Sequence, residues 1–118
     1  MAILSNRLIL GVEDEMLVMM EIEDALADAG CTLLIASRVS EAMVFAENEA
    51  IDCAFLDVSV AGEDIYPVAI ILARRNIPFV LSTGYSKGSL PAEYRDRPIL
   101  PKPYLPNEIP RAIAAALS

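Results

Sequence analysis

The chain has 118 residues, of which 55% are hydrophobic, so it is long enough for one domain (residues 1–118) with a substantial core. Its 17 acidic and 9 basic residues give a net charge of -8, which argues against a nucleic-acid partner because phosphate binding requires clustered lysine and arginine. It contains no histidine, which excludes a histidine base, a histidine metal ligand and a Ser-His-Asp triad. No apolar run is long enough to span a membrane and the N-terminus lacks a signal-peptide layout, so we expect a cytoplasmic protein without a membrane partner.

Segments with the character of strands and of helices alternate along the chain. Gly30 suits the end of the first helix, and Ser40 and Asn107 are the predicted N-caps of the second and the last. Residues 88–97 are the weakest stretch for any element, because glycine and proline interrupt it and apolar residues are sparse. The predicted elements are strand 7–12, helix 16–29, strand 31–36, helix 41–48, strand 51–56, loop 58–66, helix 67–75, strand 77–82, strand 98–100 and helix 108–117.

This alternation predicts an α/β fold with a doubly wound, five-stranded parallel sheet that is covered by helices on both faces. Of the doubly wound strand orders, 2-1-3-4-5 fits five strands in a chain of this length. In that order the strands that carry Cys31 and Cys53 are not neighbours, so we expect two unbridged, buried thiols.

The third strand is the one that points to function. Residues 53–56 are continuously apolar, which is typical of a central strand buried on both faces, and Asp57 follows directly. Asp57 is therefore expected at the carboxyl end of its strand, where open α/β folds bind their ligands. An aspartate in this place can also serve only as a helix cap or turn residue, and this stretch alone does not separate the two interpretations.

Four strand ends converge on that edge of the sheet. Three carboxylates in a small space favour a bound cation, and Mg²⁺ binds through few carboxylates while keeping several waters. A hydroxyl and an ammonium group beside them suit a phosphoryl group on Asp57, with the carboxylate as nucleophile. Each residue alone also fits an acidic first helical turn, an ordinary turn or a solvated loop lysine, whereas their joint occurrence favours the phosphoryl site. The residues concerned are Glu13 and Asp14, then Asp57, then Thr83, then Lys102.

With these four motifs in order, the chain resembles the receiver domain of two-component response regulators, which has a flavodoxin-like fold. The resemblance implies that Asp57 accepts a phosphoryl group from a histidine kinase or a histidine phosphotransfer protein, in a self-catalysed, Mg²⁺-dependent reaction, and that the protein is otherwise not an enzyme. It also implies that Asp14 and Asp57 bind the metal directly, that Glu13 acts through water and that the Ser59 carbonyl is a further ligand. Thr83 and Lys102 would hold the phosphoryl oxygens.

The segment Leu81-Ser-Thr-Gly-Tyr85 looks like the Phe-Ala-Thr-Gly-Tyr or Phe-Ala-Thr-Gly-Gly subfamily, with Leu81 and Ser82 as departures from it. Because the chain ends one helix after Lys102, we expect a stand-alone receiver whose output is a contact with a downstream protein or removal of phosphoryl groups from a shared kinase. Two alternatives remain: a Mg²⁺-dependent phosphatase with an aspartyl-phosphate intermediate, against which Ser59 counts, and a receiver excised from a hybrid histidine kinase.

Two features bear on how a signal would leave the site. Receivers commonly have an aromatic residue three positions before the lysine, but here that position is Ile99, so Thr83 and Tyr85 are the predicted switch pair. Gly88 and Pro91 make a long helix costly over residues 86–96, so we expect a short or irregular helix that phosphate or a partner orders.

Overall fold

A computed structural model describes residues 2–84 and 90–118. Short 3₁₀ turns lie at Ala2–Leu4 and Ala92–Tyr94. The strands and helices are, in chain order, β1 (Leu8–Val12), α1 (Met16–Asp28), β2 (Thr32–Ala36), α2 (Val39–Asn48), β3 (Cys53–Asp57), β4 (Ser59–Val60), β5 (Glu63–Asp64), α3 (Tyr66–Arg74), β6 (Phe79–Thr83), β7 (Ile99–Pro101) and α4 (Glu108–Leu117).

Five of these strands form one parallel sheet in the order β2-β1-β3-β6-β7. Because β6 and β7 are the fourth and fifth strands of this sheet, the predicted order 2-1-3-4-5 and the flavodoxin-like α/β fold are confirmed. Strand β3 lies at the centre of the sheet, and all five of its residues are buried. Its last residue is Asp57, which therefore reaches the carboxyl edge between β1 and β6.

The core has two halves, one on each face of the sheet. Helices α1 and α4 cover one face, where they pack on Cys53, Phe55 and Val80. Helices α2 and α3 cover the other face, where they pack on Ala54, Leu56 and Leu81. Burial of each leucine-sized side chain contributes about 1.5 to 3 kcal/mol, so both halves hold the strands, and hence the strand ends, in a fixed arrangement.

The starts of two helices differ from the expected capping. Helix α2 begins at Val39 with Arg38 at the N-cap position, so the prediction of Ser40 as N-cap is wrong. Val39 is buried in the core, which extends the helix backwards, and the Glu41 carboxylate accepts the Ser37 N–H at 3.0 Å in place of a capping serine. Asn107 does occupy the N-cap position of α4, but its side chain makes no capping hydrogen bond.

The loop after Asp57 contains a small hairpin that the sequence pattern did not predict. Strands β4 and β5 pair antiparallel through Ser59 with Asp64 and Val60 with Glu63. The two residues between them, Ala61 and Gly62, have positive φ angles of 51° and 80°, as the favoured two-residue hairpin turns require. Val60 is fully buried, so the hairpin is held against the core.

The described part of the segment after β6 has little regular structure. Residues 85–89 lie outside the described residues, and residues 90–98 contain only the 3₁₀ turn at Ala92–Tyr94. Leu90 and Tyr94 are buried, and the Tyr94 ring stacks on Tyr66 at 5.2 Å with an interplanar angle of 6°. The short, irregular helix expected here is thus found in the described part, and its ordering by phosphate or a partner stays a prediction.

Both cysteines are free, as the strand order requires, but only Cys53 is buried, whereas Cys31 is half-buried. Cys53 is fully buried in β3, and burial raises the pKa of its thiol to about 12. Cys31 precedes β2, which is separated from β3 by β1. In the described part of the chain, no helix combines the length and the apolar character needed to cross a membrane.

Candidate functional site

A cleft of about 370 Å³ opens at the carboxyl ends of β1, β3 and β6. The structure brings five of the predicted site residues together here, and Glu13 lies beside them as part of the acidic cluster. The cleft is lined by Asp14, Glu15, Asp57, Val58, Ser59, Thr83, Gly84 and Lys102.

Asp57 is held from both sides of its carboxylate. Its side chain accepts a hydrogen bond from the Lys102 ammonium to Oδ2 at 2.9 Å and one from the Ser59 backbone N–H to Oδ1 at 3.3 Å. The residue is only 7% exposed, so its charge is largely removed from water and depends on these partners. Because Lys102 follows β7, two strands away from β3, the ion pair crosses over β6.

Three carboxylates form a compact cluster around Asp57. One oxygen from each of Glu13, Asp14 and Asp57 lies within 4.8 Å of the others. Glu13 is 3% exposed, and its burial, together with the hydrogen bond and the charge of Asp57, raises its pKa to about 8. Asp14 is exposed at the cleft. Such a set of oxygen ligands, partly solvated and partly buried, fits a hard divalent cation such as Mg²⁺.

Thr83 ends β6 directly beside the cluster. It is buried, and its carbonyl accepts the Lys102 backbone N–H at 3.0 Å, which ties the start of the lysine loop to the end of β6. Thr83 and Lys102 are thus joined by a backbone hydrogen bond, and both side chains line the cleft. A group bound at Asp57 would therefore lie next to both residues.

The electrostatics of Lys102 are dominated by its acidic neighbours. Burial alone would lower its pKa, but the hydrogen bond and charge of Asp57, with the charges of Glu13 and Glu15, raise it on balance. Lys102 is therefore a permanent cation at neutral pH, and it neutralises part of the acidic cluster in the absence of a metal.

Tyr104 is a residue of this region that the sequence analysis missed. Its ring meets Phe55 edge-on with the ring centroids 5.8 Å apart, and it lines a second pocket beside the cleft together with Glu15 and Lys102. Burial and the nearby carboxylates of Glu13 and Asp57 raise the pKa of its hydroxyl to about 12. The available signal was an aromatic residue two positions after Lys102.

The predictions for Tyr85, a member of the switch pair, and for Ile99, a packed strand residue outside it, have different outcomes. Tyr85 lies outside the described residues, so the pairing of Thr83 with Tyr85 stays a prediction. Ile99 is half-buried in β7 and packs against the core on the α2 and α3 face, as expected for a strand residue.

Known proteins of the same shape share this arrangement of five parallel strands. SdrG from Sphingomonas melonis Fr1 is 42% identical over the full length of both chains, with a TM-score of 0.81. A response regulator receiver protein from Sinorhizobium medicae WSM419 is 25% identical over 95% of this chain and 94% of that chain, also with a TM-score of 0.81. SdrG from Pseudomonas melonis Fr1 in its BeF3-activated conformation is 40% identical over 97% of this chain and 98% of that chain, with a TM-score of 0.79.

No protein-family model and no curated protein matches the chain. The fold, with carboxylates, a hydroxyl and a lysine at one sheet edge, is that of a signalling receiver domain. By its likeness to the solved structures, the chain belongs to the receiver domains of response regulators.

Proposed function

We propose that Asp57 accepts a phosphoryl group from a histidine kinase or a histidine phosphotransfer protein, and that the chain catalyses only its own phosphorylation and dephosphorylation. The observation that carries this proposal is the buried Asp57 carboxylate, which faces an open cleft and is paired with the Lys102 ammonium at 2.9 Å. A merely structural aspartate has no need of a cleft or of two further carboxylates beside it. The action of this receiver without a fused output domain stays a prediction.

The transfer uses residues that already surround Asp57. An Asp57 oxygen attacks phosphorus and forms the O–P bond, while the P–N bond to the donor imidazole breaks and its nitrogen leaves with the electron pair. The negative charge on Asp57 is thereby replaced by that of the phosphoryl oxygens, which lie farther into the cleft. Lys102 follows this charge from Oδ2 to a phosphoryl oxygen, and the Thr83 hydroxyl donates to another.

The acidic cluster fits a Mg²⁺ ion. Asp14 and Asp57 would bind it directly with the Ser59 carbonyl, and Glu13 would act through water, since the three carboxylates lie close together and offer oxygen ligands. When bound, the ion would neutralise part of the negative charge on the transferred phosphoryl group. Without a cation, the negative charges of the cluster lie close together, and the charge of Asp57 is one cause of the raised pKa of Glu13.

A protein donor needs a surface beside the cleft. The first turns of α1 follow Glu15 at the rim of the cleft, and they expose Met16 at 77% and Leu17 at 75% of their surfaces. Exposed apolar side chains of this size next to a reactive carboxylate suit contact with another protein. They support a macromolecular phosphoryl donor over a small metabolite.

The proposed function predicts a single, transient phosphorylation. Incubation with acetyl phosphate and Mg²⁺ should add one phosphoryl group per chain, observed by intact mass, and the group should disappear over minutes to hours after the donor is removed. The same incubation in EDTA should give little product. Continuous release of many equivalents of phosphate would instead indicate the phosphatase, and no mass increase under any condition would contradict the proposal.

The proposed output step predicts coupled motion of Thr83 and Tyr85. Thr83 should turn toward a bound beryllium fluoride, which mimics the phosphoryl group, and Tyr85 should change its rotamer with it, because Gly84 leaves the connection free to move. The activated SdrG from Pseudomonas melonis Fr1 supports the use of this mimic. Structures with and without it measure the effect, and an unchanged Tyr85 would refute the switch.

A further inference from the structure

Ser82 lies in the strand that the Lys102–Asp57 ion pair crosses. It pairs in register with Asp57 on one side and with Leu100 on the other, and Lys102 follows Leu100 by two residues. Strands lie about 4.8 Å apart in a sheet, so the lysine and the aspartate start roughly 10 Å apart with β6 between them. Leu100 belongs to the core half under α1 and α4, and alternation places Lys102, two residues later, on the same face. The ammonium therefore reaches Asp57 across the end of β6 on that face.

Ser82 presents its side chain on that same face. Asp57 is two residues after Phe55, and Ser82 is two residues after Val80, and both of these apolar residues belong to the core half under α1 and α4. Because side chains alternate along a strand, Asp57 and Ser82 point to the same side of the sheet. Ser82 is thus the residue of β6 that lies beside Asp57 and beneath the path of Lys102.

The Ser82 hydroxyl has no hydrogen-bond partner among the residues that the structure describes, and the residue is 0% exposed. A buried hydroxyl without a partner costs free energy that an alanine would avoid, and the related Phe-Ala-Thr-Gly motif has alanine at this position. The Ser82 carbonyl, in contrast, is used, since it accepts the Val58 N–H at 3.0 Å. A donor that approaches when the phosphoryl group is bound would satisfy the hydroxyl.

We propose that Ser82 is a positioning residue for Lys102, whose hydroxyl accepts a hydrogen bond from the lysine ammonium when a phosphoryl group occupies Asp57. An ammonium group has three donors, and the Lys102 ammonium directs one of them to Asp57 Oδ2. When Lys102 shifts to the phosphoryl oxygens, a second donor can meet the hydroxyl beneath it. This inference rests on the proposed function, because it concerns the phosphorylated form of the same site.

The test is beryllium fluoride binding by Ser82 variants in the presence of Mg²⁺. Ser82→Ala should bind about tenfold more weakly than the wild type, as expected for the loss of a hydrogen bond to a charged group. Ser82→Cys should behave like Ser82→Ala, since a thiol is a weak acceptor, whereas Ser82→Thr should regain most of the affinity. The matched control is Ser40→Ala, which changes an exposed serine on α2 and should bind as the wild type does.

A second measurement reports on Lys102 itself. The chain has only two lysines, Lys87 and Lys102, so lysine-selective ¹⁵N labelling gives two side-chain signals, which Lys102→Ala assigns. The Lys102 signal should differ between the wild type and Ser82→Ala in the beryllium fluoride complex and agree in the free proteins. Thermal unfolding of free Ser82→Ala should occur no lower than that of the wild type.

Two results would overturn the inference. One is affinity of Ser82→Ala within twofold of the wild type, and the other is weaker binding with an unchanged Lys102 signal, which would indicate a packing effect. If the wild type itself neither binds beryllium fluoride nor takes up phosphate, the proposed function fails as well. Wild-type binding with an unaffected Ser82→Ala variant would remove this inference alone.

Discussion

Asp57→Asn protein is expected to keep its fold and to take up no phosphoryl group from acetyl phosphate and Mg²⁺. The amide has nearly the same shape as the carboxylate, so the buried end of β3 can be filled as before, but an amide oxygen is a poor nucleophile toward phosphorus. The expected effect is complete loss of the mass increase, measured under conditions in which the wild type is largely phosphorylated. Far-UV circular dichroism and thermal unfolding check that the fold is intact.

The control for this variant is Asp64→Asn. Asp64 is an exposed carboxylate on β5 and pairs with Ser59 in the hairpin that follows Asp57, so it is close in sequence but does not line the cleft. It should be phosphorylated at the wild-type rate. Phosphate uptake by Asp57→Asn equal to that of Asp64→Asn would place the acceptor elsewhere.

The stability of the metal-free protein is expected to fall as the pH rises from about 4.5 to about 8. Glu13 in the folded state has its pKa raised to about 8, above the ordinary value of 4.5, by burial and by Asp57. A carboxyl group with a raised folded-state pKa contributes stability that is fully present below the unfolded-state pKa and is lost as the pH rises through the folded-state pKa. At 1.36 kcal/mol per pH unit, this window of the Glu13 pKa shift corresponds to at most about 5 kcal/mol, and solvent screening at the open cleft reduces the loss below that figure.

Urea unfolding in EDTA at a series of pH values measures this loss. Glu13→Gln removes the titrating group and should flatten the curve between pH 5 and pH 8, which separates Glu13 from the other carboxyl groups. Mg²⁺ favours the ionised carboxylate, so its addition should restore stability at the alkaline end of the window. Equal slopes for the wild type and Glu13→Gln in EDTA would show that the Glu13 pKa is not raised.

The overall fold could be predicted because its signals are strong and repeated. The apolar run before Asp57 required a strand covered on both faces, and the spacing of strands and helices left one strand order that suited the length. Once that order was known, Asp57, Thr83 and Lys102 had to meet, since the carboxyl ends of parallel strands share one edge. The site was therefore predictable from topology together with residue type.

The features that could not be predicted are those whose sequence pattern is too short to recognise or whose position depends on tertiary burial. Strands of two residues, β4 and β5, are below the length at which alternation can be recognised, and they are held by the burial of Val60. The start of α2 was displaced by the burial of Val39, a tertiary effect that capping preferences do not contain. The position of Ser82 beneath the ion pair requires the strand register, which a sequence pattern does not fix.

Strand β7 also has a consequence for self-association. The Leu81 N–H donates to the Pro98 carbonyl and the Lys102 N–H to the Thr83 carbonyl, so β7 uses its inward-facing groups on β6. The backbone N–H and C=O groups of residues 99 and 101 therefore face away from β6, toward the outer edge of the sheet. Pro101 has no N–H to donate there. The outer edge of β7 can donate only through Ile99, which makes it a poor template for a strand from another molecule. Pairing of this edge with the sheet of a second molecule is thereby disfavoured.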